Sequence, residues 1–320
     1  MSETARPRPI IIDTDMAPDD WMAILYLLQS PLADVRAITV TATGEAHKGP
    51  GVRNALRLLA LAERAGVPVA GGRGTPLRGD HHWPLLARLF VDWRFGLPLP
   101  RTRQRPSPQS AAGLLTSLIM GSPEKVTLLA IGPLTNVAEA LLARPELADR
   151  LEMIYIMGGA VDVPGNITPS GFTHLENHFA EWNIYCDPYA ASVVFASGAP
   201  ITLVPLDVTN TAPITSEFYE RSRELQGTPA ARFVHRVLSR LKPLIERGDY
   251  YFWDPLTAVL ITHDHIGTYR DMALKVVVEE GPESGRTLAA EDGHRIRVCT
   301  SVDVPRFEEI FLQTLNGTLG

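Results

Sequence analysis

The run Ile10-Ile11-Ile12-Asp13-Thr14-Asp15-Met16-Ala17-Pro18-Asp19-Asp20, continued by Trp21-Met22-Ala23-Ile24-Leu25, decides the fold class. Three consecutive isoleucines read as a strand buried on both faces, and the apolar segment from Trp21 reads as a helix. A strand that hands over to a helix within a few residues opens a βαβ unit. The pattern recurs along the chain: apolar, β-branched runs at 35–41, 67–70, 126–131, 153–157, 201–205 and 274–278 alternate with helix-length segments such as 19–28, 51–65, 134–142 and 189–197.

This alternation predicts an α/β fold with an open, mostly parallel, Rossmann-like central sheet flanked by helices. Ligands of such sheets bind beyond the carboxyl ends of the strands, where the acidic run lies. Three stretches interrupt the rhythm: 73–108, rich in Pro, Arg and Trp; 162–180, rich in Gly, Pro and His; and the helical-looking 228–251. Strand-like runs lie on both sides of each. They read as lid-like insertions in a single domain spanning 1–320.

With 320 residues, 45% hydrophobic and 21% charged, the composition is that of a globular chain with a large core. A formal net charge of -6 offers no broad positive field for nucleic acid or an anionic membrane surface. Cys186 and Cys299 stand far apart and match no thiolate metal spacing or disulfide framework. No apolar run of spanning length occurs and the first residues lack a signal-peptide core, so a cytoplasmic location is expected.

Four carboxylates within eight residues of the first turn require a reason. Asp19 suits a helix N-cap and Asp20 favours the helix dipole, which accounts for two of them. Asp13 and Asp15, placed two apart on a strand end, would point the same way and repel each other and Asp20 unless a cation or a shared proton intervenes. With no His or Cys in the turn, a hard, oxygen-ligated ion, calcium or magnesium, suits the donors better than zinc. A phosphatase of the haloacid dehalogenase type also places an aspartate pair here. Its pattern wants Thr or Val where this chain has Ala17, and it leaves Asp19 and Asp20 unexplained.

The whole string resembles the DTDxxxDD signature of the nucleoside hydrolases. Further blocks in that family's order are Gly132-Pro133-Leu134-Thr135-Asn136, Met157-Gly158-Gly159 through Gly165-Asn166, Glu181-Trp182-Asn183 through Asp187-Pro188, and Tyr250-Tyr251-Phe252-Trp253-Asp254-Pro255. The resemblance implies a calcium-dependent N-ribohydrolase that cleaves the N-glycosidic bond of a nucleoside with water. By position it implies Asp15, Asp20, Asp254 and the main-chain carbonyl of Ile131 as calcium ligands, with Asp15 also the general base. Asp19 would contact the ribose 2′-hydroxyl, Asn183 the 3′-hydroxyl, Glu181 and Asn166 the 5′-hydroxyl, and Met157 the underside of the sugar. Asp13 would support the ligands from behind. These residue types suit the chemistry, because glycosidic cleavage passes through an oxocarbenium-like state that carboxylates stabilise, and a divalent cation acidifies water.

At the base end the chain departs from the inosine–uridine-preferring branch. Trp253 stands where that branch carries a histidine, and Gly44-Glu45 where it carries Gly-Asn. Both changes resemble the purine-preferring inosine–adenosine–guanosine branch, so the expectation is purine nucleoside hydrolysis. Trp253 would stack on the base, with Trp83 or Trp93 on its other face and Glu45 receiving a hydrogen bond from it. His47, His81 and His82 are further candidates to border the pocket. Alternatives are an N-ribohydrolase acting on pyrimidine or modified nucleosides, and a non-catalytic ribose-binding protein on the same scaffold. The expected partners are a small-molecule nucleoside and further copies of the chain, as a homodimer or homotetramer.

Overall fold

The structure, a computed structural model, describes residues 6–168 and 175–318. The first strand, β1 (Arg8–Thr14), is buried from Pro9 onward. Ile10 and Ile12 enter one apolar cluster and Ile11 the other, the period-2 division of a strand covered on both faces. β1 leads into α1 (Pro18–Gln29), β2 (Ala33–Val40) into α2 (Lys48–Leu61), and β3 (Val69–Gly71) into an excursion holding α3 (Leu85–Asp92) and α4 (Ala111–Gly121). β4 (Val126–Ile131) is followed by α5 (Thr135–Ala143) and α6 (Leu147–Arg150), and β5 (Leu151–Met157) by α7 (Trp182–Tyr185) and α8 (Pro188–Phe195). After β6 (Ile201–Val204) come α9 (Leu206–Thr209), α10 (Ser216–Glu224), α11 (Pro229–Arg247) and α12 (Trp253–Thr262). The chain closes with β7 (Gly267–Val276), β8 (Thr287–Ala289), β9 (His294–Val302) and α13 (Val304–Leu315).

Among the described residues, nine strands form one sheet in the order β3-β2-β1-β4-β5-β6-β9-β7-β8. Pairing is parallel from β3 through β6 to β9, and antiparallel between β9 and β7 and between β7 and β8. The expected mostly parallel α/β sheet is therefore present. The chain runs outward from β1 to β2 and β3, then returns to place β4 on the other side of β1. That reversal opens a crevice beyond the carboxyl ends of β1 and β4. Helices α1, α2, α11, α12 and α13 cover one face of the sheet, and α4, α5 and α8 the other.

Three differences from the sequence reading have local causes. Helix α1 begins at Pro18 with Ala17 at the N-cap position, so Asp19 is not the cap and lies with Asp20 in the first turn. β1 ends at Thr14, which puts Asp15 in the turn and not on the strand. β8 and β9 have no continuous apolar run; β9 buries Ile296, Val298 and Cys299 but carries Arg295 before Ile296 and Arg297 between Ile296 and Val298, the alternation of a half-covered strand. Of the three interruptions, 73–108 contains α3, 228–251 is mostly α11 closed by Gly248 at φ 76°, and part of 162–180 lies outside the described residues.

Phe311 shows how the helical layer is held. Fully buried, it packs against Tyr26 at 5.8 Å and against Phe252 and Phe307 at 5.9 Å between ring centroids. Phe311→Ala is expected to cost about 3–5 kcal/mol in urea unfolding, since the packed neighbours on α1, α13 and the start of α12 cannot close the cavity.

Candidate active site

Where β1 ends, the backbone turns through Met16 at φ 64°, a conformation unusual for a residue with a side chain. Asp20 stabilises the turn: its Oδ1 accepts the N–H groups of Asp15 and Met16, each at 3.2 Å, and the hydroxyl of Thr14. Its other oxygen, Oδ2, is buried with no hydrogen-bond partner. Packing of α12 on α1 brings Asp254, in the first turn of α12, to the same place. Carboxylate oxygens of Asp19, Asp20 and Asp254 all lie within 4.8 Å of one another.

Asp15 is held from the side. Its Oδ2 accepts the N–H of Glu45 at 2.9 Å, and its carbonyl accepts the N–H of Ala46 at 2.9 Å. The approach requires glycine at 44, where a Cβ would sit 2.0 Å from Asp15 Oδ2. Asp13 points away, with its Oδ1 accepting Thr39 Oγ1 at 2.5 Å and Asn136 Nδ2 at 2.7 Å. It sits behind the site as a brace between β1, β2 and α5.

The opposite wall is built after β5. Glu181 is the N-cap of α7: Oε1 accepts the N–H of Asn183 at 2.9 Å, and Oε2 accepts those of Gly159 at 3.0 Å and Ile184 at 3.2 Å. Asn183 Nδ2 donates to the Met157 carbonyl at 3.2 Å, and Asn166 Oδ1 accepts the Trp182 N–H at 3.1 Å. Glu181 and Asn183 are buried and Asn166 is half-buried, each with fixed partners.

A cavity of about 710 Å³ joins the two walls. Asp15, Asp19, Asp20, Glu45, Trp83, Ile131, Met157, Asn166, Glu181, Asn183, Trp253 and Asp254 all line it, although they come from widely separated parts of the chain. The three loop histidines do not. His47 is bonded to Asp92 at 2.7 Å, His81 to Glu280 at 2.9 Å and the Tyr185 carbonyl at 2.7 Å, and His82 to the Asp80 carbonyl at 2.7 Å. Trp93 is 78% exposed and lies outside the cavity. Sequence reasoning missed Tyr250, Tyr251, Phe90, Phe95 and Leu244, which complete the apolar end. Tyr250 and Tyr251 were signalled by their place just before Trp253; the others depend on how α3 and α11 pack.

Burial governs the electrostatics. Desolvation raises Asp13 and Asp19 to about 7 and Asp15 to about 6, and Glu181 to about 7. Asp20, Asp254 and Glu45 are pushed well above the carboxylate range by burial first and by neighbouring aspartates second. An all-oxygen donor set, a partnerless buried carboxylate oxygen at Asp20 and mutual repulsion together fit a hard divalent cation.

Residues 10–309 match the family model described as inosine-uridine preferring nucleoside hydrolase. The chain belongs to this nucleoside hydrolase family. A pyrimidine-specific ribonucleoside hydrolase RihA from Klebsiella pneumoniae subsp. pneumoniae is 40% identical over 320 residues, covering 96% of this chain and 98% of the relative. Another RihA, from Salmonella arizonae, is 41% identical over 233 residues, covering 72% of this chain and 70% of its own. The solved inosine-uridine preferring nucleoside hydrolase from Bacillus anthracis shares the fold, with a TM-score of 0.85 at 23% identity over 97% of this chain and 99% of that one.

These relatives overturn the expectation of a purine-preferring enzyme. That expectation rested on Trp253 and Glu45, whereas the similarity to pyrimidine-specific relatives runs the length of the chain. In the structure Trp83 stacks on Trp182, with centroids 4.1 Å apart and planes 21° from parallel, and Trp253 packs against Tyr250 at 5.1 Å and Tyr251 at 5.5 Å. Both indoles line the cavity, and neither contact distinguishes a purine from a pyrimidine.

The raised carboxylates of this nucleoside hydrolase give a prediction with a definite sign. Their folded-state pKa values lie above the unfolded value of 3.8 for aspartate, so the metal-free chain binds protons more tightly when folded. Its melting temperature is expected to rise as pH falls from about 7 toward 4, and to be lowest above the folded pKa values. Saturating divalent cation should flatten or invert that slope, and a metal-free melting temperature that falls steadily below pH 7 contradicts it.

Proposed function

We propose that this chain hydrolyses the N-glycosidic bond of pyrimidine ribonucleosides, releasing free base and ribose. The observation that carries the reading is the near full-length similarity to the pyrimidine-specific relative, 40% identity over 96% of the chain. The cavity supports it by bringing the acidic turn and the Glu181–Asn183 wall to face each other.

In this reading Asn183, Glu181, Asn166 and Asp19 hold the ribose hydroxyls, and Met157 lies against the sugar. As the C1′–N bond lengthens, positive charge spreads over C1′ and the ring oxygen, and the surrounding carboxylates stabilise it. Asp15 removes a proton from the water that attacks C1′, aided by the Glu45 N–H that keeps its carboxylate in place. The base leaves with the bonding electrons and takes up a proton from solvent; among the described residues, no histidine lines the cavity.

Calcium is the cation we assign to the acidic turn. Asp15, Asp20, Asp254 and the main-chain carbonyl of Ile131 would hold it, with Asp19 close enough to Asp20 and Asp254 to share in the binding. When bound, it supplies the positive charge that relieves the carboxylate repulsion, orders the ribose hydroxyls and acidifies water.

Uridine and cytidine are expected to be hydrolysed with kcat/KM at least about 10-fold above inosine, guanosine and adenosine, a margin that pocket contacts alone can supply. A purine preference, or no hydrolysis of any of the five, refutes the proposal. Asp15→Asn is expected to lower kcat by about 10²–10⁴-fold while unfolding as the wild type does. Calcium chelation is expected to abolish turnover and calcium to restore it.

A further inference from the structure

Helix α3 lies in the long segment between β3 and β4, and its attachment to the protein is unusual. Leu85, Leu86, Leu89, Phe90 and Trp93 on or beside it are 61%, 71%, 47%, 60% and 78% exposed. Within the helix only Arg88 and Val91 are buried. The apolar attachment of α3 rests on few residues, Val91 in the main core cluster and Ala87 against the Trp83 cluster, and polar contacts add to it.

Those contacts converge on one turn. Arg88 Nη2 donates to the carbonyls of Ala42 at 2.8 Å and Ala46 at 3.1 Å, the two ends of the loop that presents Glu45. One helical turn later, Asp92 accepts the N–H of His47 at 2.9 Å and its Nδ1 at 2.7 Å. The Asp92 carbonyl also accepts from Asn54 Nδ2 at 3.3 Å, tying the same end to α2. The gripped loop, in turn, supplies both N–H groups that hold Asp15: Glu45 to its carboxylate and Ala46 to its carbonyl. Burial works against the Arg88 charge, and the nearby carboxylates of Asp92 and Asp15 support it.

We infer that Arg88, assisted by Asp92, is a positioning residue for catalysis: α3 clamps the 42–47 turn so that Glu45 N–H holds Asp15 where it acts. The inference rests on the reading of Asp15 as the base. Arg88 does not line the cavity; it acts through the turn, and its positive charge also favours the ionised Asp15 carboxylate.

The test uses uridine turnover by the full chain with calcium. Arg88→Met keeps the length and loses the donors; kcat is expected to fall about 10–100-fold, the scale for sub-ångström to 1 Å misplacement of a catalytic group, with KM within about threefold. Arg88→Lys, whose ammonium can donate to both carbonyls, is expected to recover most of kcat. Asp92→Ala should lower kcat less, and Arg88→Met with Asp92→Ala together should lose little more than Arg88→Met alone, because both act through one turn. Leu86→Ser, on the exposed side of α3, is expected to match wild type. Wild-type kcat in Arg88→Met, or a rise in KM with kcat unchanged, overturns the inference. If Arg88→Met does not fold, wild-type kcat in Asp92→Ala overturns it instead. Uridine hydrolysis by wild type and its loss in Asp15→Asn test the underlying reading separately, so the two failures are distinguishable.

Discussion

Buried negative charge is the constraint around which this molecule is arranged. Asp13, Asp15, Asp19, Asp20, Glu181 and Asp254 are all at least nine-tenths removed from water, within one end of one sheet. Isolated ionised carboxylates in such surroundings are costly unless donors or a cation compensate them. Each of several turns in the neighbourhood serves this need. The N–H groups of Asp15 and Met16 turn toward Asp20, those of Gly159, Asn183 and Ile184 toward Glu181, and those of Glu45 and Ala46 toward Asp15. What these donors leave unsatisfied, notably Asp20 Oδ2, is what makes the turn suitable for a hard cation.

The sheet makes this concentration possible. Strand order reverses at β1, so the loops after β1 and β4 diverge and leave a crevice between them. Strands apolar on both faces and covered by helices hold the backbone rigidly, and the acidic turn inherits that rigidity through Asp13, braced by Thr39 and Asn136 from the neighbouring strand and helix. The aromatic end of the cavity is different in kind. Trp83, Phe90, Phe95, Tyr250, Tyr251 and Trp253 come from the insertion that holds α3, from the link between α11 and α12, and from the start of α12. The acidic end is thus built at strand ends and the aromatic end largely on covering segments.

Part of this arrangement was legible in the sequence. Asp19, Asp20 and Asp254 meet because the first two open α1 and the third lies in the first turn of α12, which packs beside α1, while Asp15, from the same strand-to-helix turn, lines the same cavity. Base preference, inferred from Trp253 and Glu45, was overturned by the near full-length similarity to a pyrimidine-specific relative, because residue identities alone do not show how side chains pack around the cavity. Trp83 illustrates the point: its stacking partner is Trp182, a contact between residues 83 and 182 that local pattern cannot show. The histidines illustrate it too, since His47 and His81 are engaged by Asp92 and Glu280, from other parts of the chain.

The sequence by itself determined the βαβ rhythm, the parallel centre of the sheet and the crowding of carboxylates after β1. These follow from side-chain periodicity and spacing along the chain, which are local quantities. Only the tertiary structure decided that β9 enters between β6 and β7, that Asp19 joins Asp20 and Asp254 while Asp15 is drawn to the Glu45 N–H, and that α3 is attached through Arg88 and Asp92. Each of these depends on which distant backbone donor or acceptor remains free once the core has packed, and hydrogen-bond supply at a buried point is a property of the folded chain.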